Sequence, residues 1–350
     1  RPAVYTHIPA YEREPKDQLR QWVTVPRGNR FATWIRVNRT DFNGPLDLVF
    51  NGLPAGITAH ADPIVADVDR AVVVCEAAPD APVAGALIDV VARSEKLEGG
   101  FQQDVNLVYG PPNNTVYYGT RVSRLAVAVA EEAPFTLRIT EPKVPMVRSG
   151  SMNLRVVAER KAGFDKPIEL RFLWSPPGIG AQGTVTMAGN QSEIGYPINA
   201  NGNAAEKTWK VAVLGSAPAA DGAVWISTQL APLTIAAPFI GMRMEQASVD
   251  QGKETDVVCK LEQLRPFEGK AKVSLHGLPA QCVAEPAERE ITKEDKEVTF
   301  HVKTDPKSPA GRHTSLFGQI IVTQDGEPVI HSVGGGGVLR IDAPRKEKAK

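Results

Sequence analysis

The 350-residue chain is short of cysteine, of net charge, of long apolar runs and of histidine pairs. Each shortage removes a class of protein. Three cysteines, Cys75, Cys259 and Cys282, are too few for a disulfide scaffold and lack zinc-ribbon spacing. Forty basic residues balance forty acidic ones, so no overall field recruits nucleic acid or an anionic membrane surface. No run of eighteen apolar residues occurs, which leaves no helical membrane span. The histidines, His7, His60, His276, His301, His313 and His331, form neither a His-x-x-x-His nor a His-Glu-x-x-His pair, so no metalloenzyme helix is encoded. A Gly-x-Ser-x-Gly nucleophile elbow is missing, and so is any convincing helical segment to carry one. The chain begins with Arg1 rather than Met, which raises the expectation of a processed chain or a piece of a longer one.

What is present is repetition. The stretch from Phe42 to Ile57 recurs from Phe164 to Ile179 and, more loosely, from Phe267 to Cys282. Leu46, Leu48, Phe50 and Pro54 align with Ile168, Leu170, Phe172 and Pro176, then with Ala271, Val273, Leu275 and Pro279. Apolar and polar residues alternate at period two within the block and stop at a proline-containing turn, as a half-buried strand does. Gly28, Gly150 and Gly252 precede the three copies by fourteen or fifteen residues, so the repeat extends upstream and its unit is the size of a domain. The strand after Gly150 falls one residue out of step with the strand after Gly28, so a slip or bulge must intervene.

Downstream, each copy has a strand, a proline-rich turn closed by glycine (Gly85, Gly222, Gly311) and another strand. About seven short strands per copy, with turn signals at regular spacing, predict an all-β chain of three tandem immunoglobulin-like β-sandwiches. The expected divisions are residues 1–133, 134–237 and 238–342, at Ala133-Pro134 and Ala237-Pro238, with a charged tail over 343–350. Links this short predict restricted motion between neighbours. The first copy carries extra residues, 96–118, read as a hairpin around a five-residue loop, Gly110 to Asn114.

Gly-Phe-Asp-Lys-Pro-Ile-Glu-Leu (163–170) and Gly-Leu-Pro-Ala-Gly-Ile (52–57), each followed by a Pro…Pro…Gly turn, carry a resemblance. The sequence resembles the Ig-like β-sandwich repeats of large secreted bacterial proteins, including those accompanying pre-peptidase C-terminal modules. The resemblance implies an extracytoplasmic location and a spacer, adhesive or substrate-presenting role. It transfers no catalytic residues.

Few residues offer chemistry. Cys259 and Cys282 read either as small buried hydrophobes or as an intradomain disulfide, with Cys75 a buried thiol on its own strand. Asp62, Asp67 and Asp69, and Glu285, Glu288 and Glu290, are acidic clusters that could help bind calcium, though neither has the periodicity of a known loop. Gly334 to Gly337 lacks the Lys-Ser/Thr of a phosphate loop and reads as a bulge or loop before a last strand. Trp174 and Trp225 read as core residues.

The one candidate ligand surface is the first-copy hairpin, with Phe101, Tyr109, Asn113, Asn114, Tyr117 and Tyr118. Tyrosine beside asparagine on a loop suits stacking on a sugar or peptide; the competing reading is that these rings cover a sandwich edge. The functional expectation is a non-catalytic spacer or interaction arm whose partners are other domains of a longer chain, with no cofactor and no membrane insertion. A carbohydrate- or peptide-binding module using the hairpin is the alternative, and an accessory region of a secreted hydrolase comes third.

Overall fold

The computed structural model describes residues 2–8, 21–111, 115–219 and 222–343, and among these residues there are strands and turns but no helix. The strands fall into three successive sets, called here units 1, 2 and 3. Unit 1 contains β1 (Ala3–His7), β2 (Val23–Pro26), β3 (Arg30–Thr40), β4 (Asp47–Asn51), β5 (Ile57–Ala61), β6 (Arg70–Ala77), β7 (Gly85–Arg93), β8 (Glu98–Gly99), β9 (Gln103–Gly110), β10 (Thr115–Val122) and β11 (Leu125–Ala130). Its sheets run β1-β3-β6-β5 and β2-β11-β7-β4, with β8 beside β7 and β9–β10 as a separate ribbon. In the usual letters these are A-B-E-D and A′-G-F-C, the arrangement of an immunoglobulin-like sandwich.

Unit 2 contains β12 (Phe135–Ile139), β13 (Met146–Val147), β14 (Gly150–Arg160), β15 (Ile168–Phe172), β16 (Ile179–Ala181), β17 (Val185–Met187), β18 (Glu193–Ala200), β19 (Thr208–Val211), β20 (Val213–Ala219), β21 (Gly222–Ser227) and β22 (Ala231–Ala236). Unit 3 contains β23 (Ile240–Met244), β24 (Ala247–Asp250), β25 (Glu254–Gln263), β26 (Ala271–His276), β27 (Cys282–Glu285), β28 (Glu288–Ile291), β29 (Glu297–Thr304), β30 (Gly311–Gln324) and β31 (Glu327–Asp342). Strands β12-β14-β18-β16 and β23-β25-β29-β27 repeat the A-B-E-D order. In every unit A′ lies parallel to the last stretch of G: Val23 opposite Val127, Met146 opposite Ile235, and Ala247 opposite Leu339. The thrice-written block supplies the C strands, β4, β15 and β26; Ile168, Leu170, Ala271 and Val273 in the last two are buried, as is Leu46 just before β4.

The missing half-step of unit 2 sits in the turn before its B strand. The left-handed residue there is Gly28 (φ 63°) in unit 1 and Gly252 (φ 74°) in unit 3, but in unit 2 it is Ser149 (φ 57°), not Gly150. Counted from that residue, the inward positions coincide: Phe31, Thr33, Ile35 and Val37; Met152, Leu154, Val156 and Ala158; Thr255, Val257, Cys259 and Leu261. The glycine that anchored the sequence alignment is therefore one residue late in unit 2. A non-glycine residue in this region carries strain of order 1 kcal/mol, which the surrounding hydrogen bonds hold in place.

The disulfide reading of Cys259 and Cys282 is overturned, because all three cysteines are free and buried. Cys259 faces Val298 on β29 from one side, and Cys282 faces Thr304 on the same strand from the other. Six residues along β29 and two strand spacings across put them roughly 20 Å apart, against the ~4.4–6.8 Å that a disulfide spans. Burial pushes the Cys75 thiol up to about 12 and that of Cys259 to about 11, so neither is a ready nucleophile. Thermal unfolding curves with and without a thiol reductant are expected to superimpose; a lower midpoint in reductant would contradict the fold.

The units are joined by more than a peptide link. Between units 1 and 2, Asn29, 5% exposed, donates from Nδ2 to the Phe135 carbonyl at 2.8 Å. The outward face of the A-B-E-D sheet of unit 1, at Ala32, Val72 and Val74, is buried against Ala212, Leu173, Trp174 and Leu230 of unit 2. This is why Ala71 to Cys75 is apolar at every position rather than alternating: both faces of β6 are covered. Leu214 and Trp225 of unit 2 pack against the core of unit 1, so Trp225 serves the junction and not, as expected, its own core. Trp174 reaches both its own core and the junction.

Between units 2 and 3 the backbone itself pairs. Gly150 and Ser151 at the start of β14 lie antiparallel to His331 and Ile330 of β31, making one nine-stranded sheet across the boundary. The Ser332 amide donates to the Ser149 carbonyl at 2.8 Å, and Arg265 Nη1 to the Ala237 carbonyl at 3.0 Å.

Candidate functional site

The ribbon β9–β10 of unit 1 was expected over 96–118 and runs from Gln103 to Val122. Its base is fastened to the sandwich. The Ile8 amide donates to Gln103 Oε1 at 2.7 Å, and Phe101 bridges Thr6 in parallel. Phe101, one of the expected ligand residues, is only 3% exposed and belongs to the core of unit 1: parity turns its ring inward at the base of the ribbon. It cannot stack on a ligand.

Further out, a register break at Val116/Tyr118 puts Tyr117 in a bulge of β10, and a second at Tyr118/Gly119 leaves Leu107 unpaired on β9. Val116, Tyr117 and Tyr118 are 46%, 57% and 61% exposed. The Tyr117 hydroxyl donates to the Pro111 carbonyl at 2.8 Å, which fixes that ring at the loop. Tyr109 stands opposite Val116 in the backbone ladder, its side chain outside the described set; Asn113 and Asn114 lie outside the described residues. Of the six expected ligand residues, Tyr117 and Tyr118 are exposed and adjacent in sequence.

Asp104 meets Arg121 through two hydrogen bonds, at 2.8 and 3.1 Å. The guanidinium keeps the Asp104 carboxyl below the usual carboxylate range, and the carboxylate raises Arg121 in return. This clamp crosses the two strands near the base.

Sequence reading missed a second exposed feature, on the outer face of the A′-G-F-C sheet of unit 1. Trp22, just before β2, and Leu87, on the outward parity of β7, are 45% and 63% exposed. Leu87 stands opposite Ala126 of β11. The available signal was an apolar residue on the polar parity of its strand.

An open cleft of about 630 Å³ lies at the junction of units 2 and 3, lined by Arg148, Met242, Leu264, Phe317 and Gly334 among others. Arg148 is the sole ionisable residue of that lining and is already engaged by Glu206 at 2.9 Å. No nucleophile, base and oxyanion donor converge there.

Most acids of the two clusters already have basic or amide partners. Asp69 is paired with Arg36 and Arg70, and Asp67 with Asn43. Glu285, Glu288 and Glu290 meet Lys303, Lys272 and Lys270 at 2.6, 2.8 and 2.5 Å. Among the described residues, no three His, Cys, Asp or Glu side chains gather as metal ligands do. His301 sits between Asp256 and Glu254 at 2.8 Å from each, on the exposed face of β29. These carboxylates raise its pKa and favour the imidazolium, a surface ion network of modest energy.

No family model matches the chain, and no curated protein does. Among solved structures it is similar to a putative membrane-anchored protein from Corynebacterium diphtheriae, at 7% identity and a TM-score of 0.19, covering 99% of this chain and 92% of that one. It is also similar to the fibronectin(III)-like modules of Clostridium thermocellum CbhA, at 11% identity and a TM-score of 0.20, covering 61% of this chain and 98% of that one. A domain of intimin matches at 13% identity and a TM-score of 0.19, over 56% of this chain and 98% of that one. The chain is all-β and Ig-like on the strand order of its own sheets.

Proposed function

We propose that the chain is a non-catalytic, extracytoplasmic arm of a longer protein, in which three β-sandwich domains, divided near residues 133 and 237, hold what lies at their ends at a fixed separation. The observation that carries this reading is the pair of junctions. One is a buried apolar contact with the Asn29 hydrogen bond, the other a sheet continuous from β14 into β31. Tethered sandwiches need neither, whereas an arm that transmits position needs both.

Distance distributions between spin labels on the exposed faces of units 1 and 3 test the arm directly. A single narrow distribution, unchanged by viscosity or salt, is expected; a broad one would make the units beads on a string and sink the proposal.

The second reading is recognition of a sugar or peptide by the ribbon, favoured by the exposure of Tyr117 and Tyr118. If it holds, the chain is retained on insoluble polysaccharide or envelope material, and Tyr117→Ala/Tyr118→Ala lowers retention at least tenfold, since each stacked ring contributes about 1 kcal/mol. Flow-through of both proteins would exclude it.

A further inference from the structure

The chain has five methionines, Met146, Met152, Met187, Met242 and Met244, and none of them lies in unit 1. Met146 and Met187 are buried in the core of unit 2. The three that are only partly buried, Met152, Met242 and Met244, all pack against the core of unit 3. Met152 touches the core of unit 2 as well, so it stands at the boundary between the two. The cysteines are buried, and burial keeps the thiols of Cys75 and Cys259 protonated. The sulfur within reach of solvent is thioether, and it is gathered at one junction.

Met242 and Met244 sit two apart on β23 and share the inward parity of Ile240. They meet β30 and β31 where the ladder between those strands is broken. Gly334 to Gly337, expected to form a bulge or loop before the last strand, lie inside β31, and Gly334 and Gly336 adopt φ of 63° and 87°. Three glycines make room for the two thioethers. A Cβ on Gly318 would collide with Met242 Cε and stand 3.2 Å from its Sδ, and one on Gly334 would stand 3.1 Å from Cε. A Cβ on Gly337 would collide with Met244 Sδ. Each methionine fills space that a side chain on β30 or β31 would otherwise take.

Access separates the two. Met242 lines the open cleft at the junction of units 2 and 3, beside Leu264, Phe317, Val333 and Gly334, and Met244 does not. A small neutral oxidant therefore has a path to Met242 without unfolding of the chain. Met242 is also close to the joint itself. Two residues before it, the Ile240 carbonyl lies 3.2 Å from Nε2 of the buried His331. His331 and Ile330 pair with the start of β14, and the Ser332 amide donates to the Ser149 carbonyl at 2.8 Å. The strand that carries the accessible thioether is tied to the strand that joins the units.

We infer that Met242 is a modification site: a peroxide converts it to methionine sulfoxide, and the sulfoxide loosens β23 from β30–β31 and releases the junction of units 2 and 3. The chemistry balances with hydrogen peroxide alone. A sulfur lone pair takes one peroxide oxygen, the O–O bond breaks, and the departing hydroxide collects the proton left on the new oxygen and leaves as water. Sulfur loses two electrons and the peroxide gains them. The product is polar and bulkier, in a slot shaped for an apolar thioether whose methyl already presses on Gly318. A thiol-dependent sulfoxide reductase reverses the change, two thiols becoming a disulfide as the oxygen leaves in water. The consequence for the arm rests on the reading of the chain as a stiff spacer; the oxidation itself does not.

Two experiments test it on the full chain. In the first, the native protein is treated with hydrogen peroxide and its peptides are mapped by mass spectrometry. Met242 is expected to gain an oxygen about tenfold faster than the buried Met146 and Met187. Equal rates at all five methionines, or modification of Met152 or Met244 with Met242 left intact, would overturn the assignment.

In the second, spin labels on units 2 and 3 read the consequence. A narrow distance distribution is expected before oxidation and a broad one after it. Amide exchange at Ser332 is expected to accelerate about tenfold with the broadening. Sulfoxide reductases of both epimer specificities, with a dithiol, are expected to restore both readings. Met242→Leu keeps the volume and removes the reactive sulfur, so its distribution is expected to stay narrow through the same treatment. Met242→Gln puts a polar group in the slot without any oxidant and is expected to broaden the distribution by itself. A narrow distribution from the fully oxidised chain, or equal broadening of oxidised Met242→Leu, refutes the switch and leaves the arm intact. A broad distribution before any oxidant instead removes the arm, and this inference with it.

Discussion

Gly150→Ala is expected to pry units 2 and 3 apart. A Cβ at this position would stand 2.5 Å from the Ile330 carbonyl oxygen of unit 3 and 2.6 Å from the Val147 carbonyl oxygen of unit 2. Both neighbours are backbone, so no side chain can swing away to make room. The pairing of β14 with His331 and Ile330 requires that approach, and one methyl group is incompatible with it. Forced contacts of this kind cost about 1–3 kcal/mol, and more where the backbone cannot move. A loss near the upper end of that range is expected in denaturant unfolding. Amide exchange at Ser332, which donates to Ser149, is expected to accelerate with it. Gly100→Ala is the control, since nothing lies within 4 Å of the added atom and its φ is not left-handed; a change within about 0.5 kcal/mol is expected there. Equal effects of the two substitutions would mean that the junction does not depend on the close approach at Gly150.

Acid is expected to attack the same junction through His331. This side chain is 1% exposed, its Nε2 lies 3.2 Å from the Ile240 carbonyl, and its Nδ1 has no partner. Burial pulls its pKa down from 6.5 to about 4, the hydrogen bond to Ile240 opposing the shift only in part. Because the folded-state value lies below the unfolded one, the neutral form is the one the fold prefers. Its contribution to stability is complete above about pH 6.5. It falls as pH drops from there towards 4 and levels off below, for a total of roughly 3 kcal/mol. His7, also lowered chiefly by burial, adds to the same slope, while His301, raised by its carboxylates, opposes it. His331→Gln therefore isolates the effect. Stability measured at stepped pH is expected to decline less between 6.5 and 4 in the variant than in the natural chain. Parallel curves would show that His331 does not titrate with unfolding.

Much of the fold was legible because the signals were local. The block beginning at Phe42, Phe164 and Phe267 marks the C strands by alternation and a proline turn, and such patterns act over a handful of residues. The turn between β30 and β31, Asp325-Gly326, both with positive φ, is equally local. The alignment erred at Gly150 because it matched glycine to glycine. That glycine serves the approach of Ile330, almost two hundred residues away in sequence, and the left-handed position went to Ser149. The cysteines misled for a related reason: parity correctly puts Cys259 and Cys282 on the inner face, but inner faces do not say how far along a shared neighbour two residues stand.

For the candidate site the division is similar. Tyr117 and Tyr118 were visible as rings in a hairpin, and their exposure depends on what approaches the ribbon rather than on the ribbon's own sequence. Phe101, with similar chemistry, is buried because the strand turns it towards β1. By itself the sequence determined that this chain forms short strands and that it repeats the block beginning at Phe42, Phe164 and Phe267. The tertiary structure alone decided which outward faces are covered, which turn residue is strained, and where the units meet. The physical reason is reach. Propensity and period are fixed by neighbours a few residues apart, whereas burial and backbone pairing are fixed by whatever distant segment arrives.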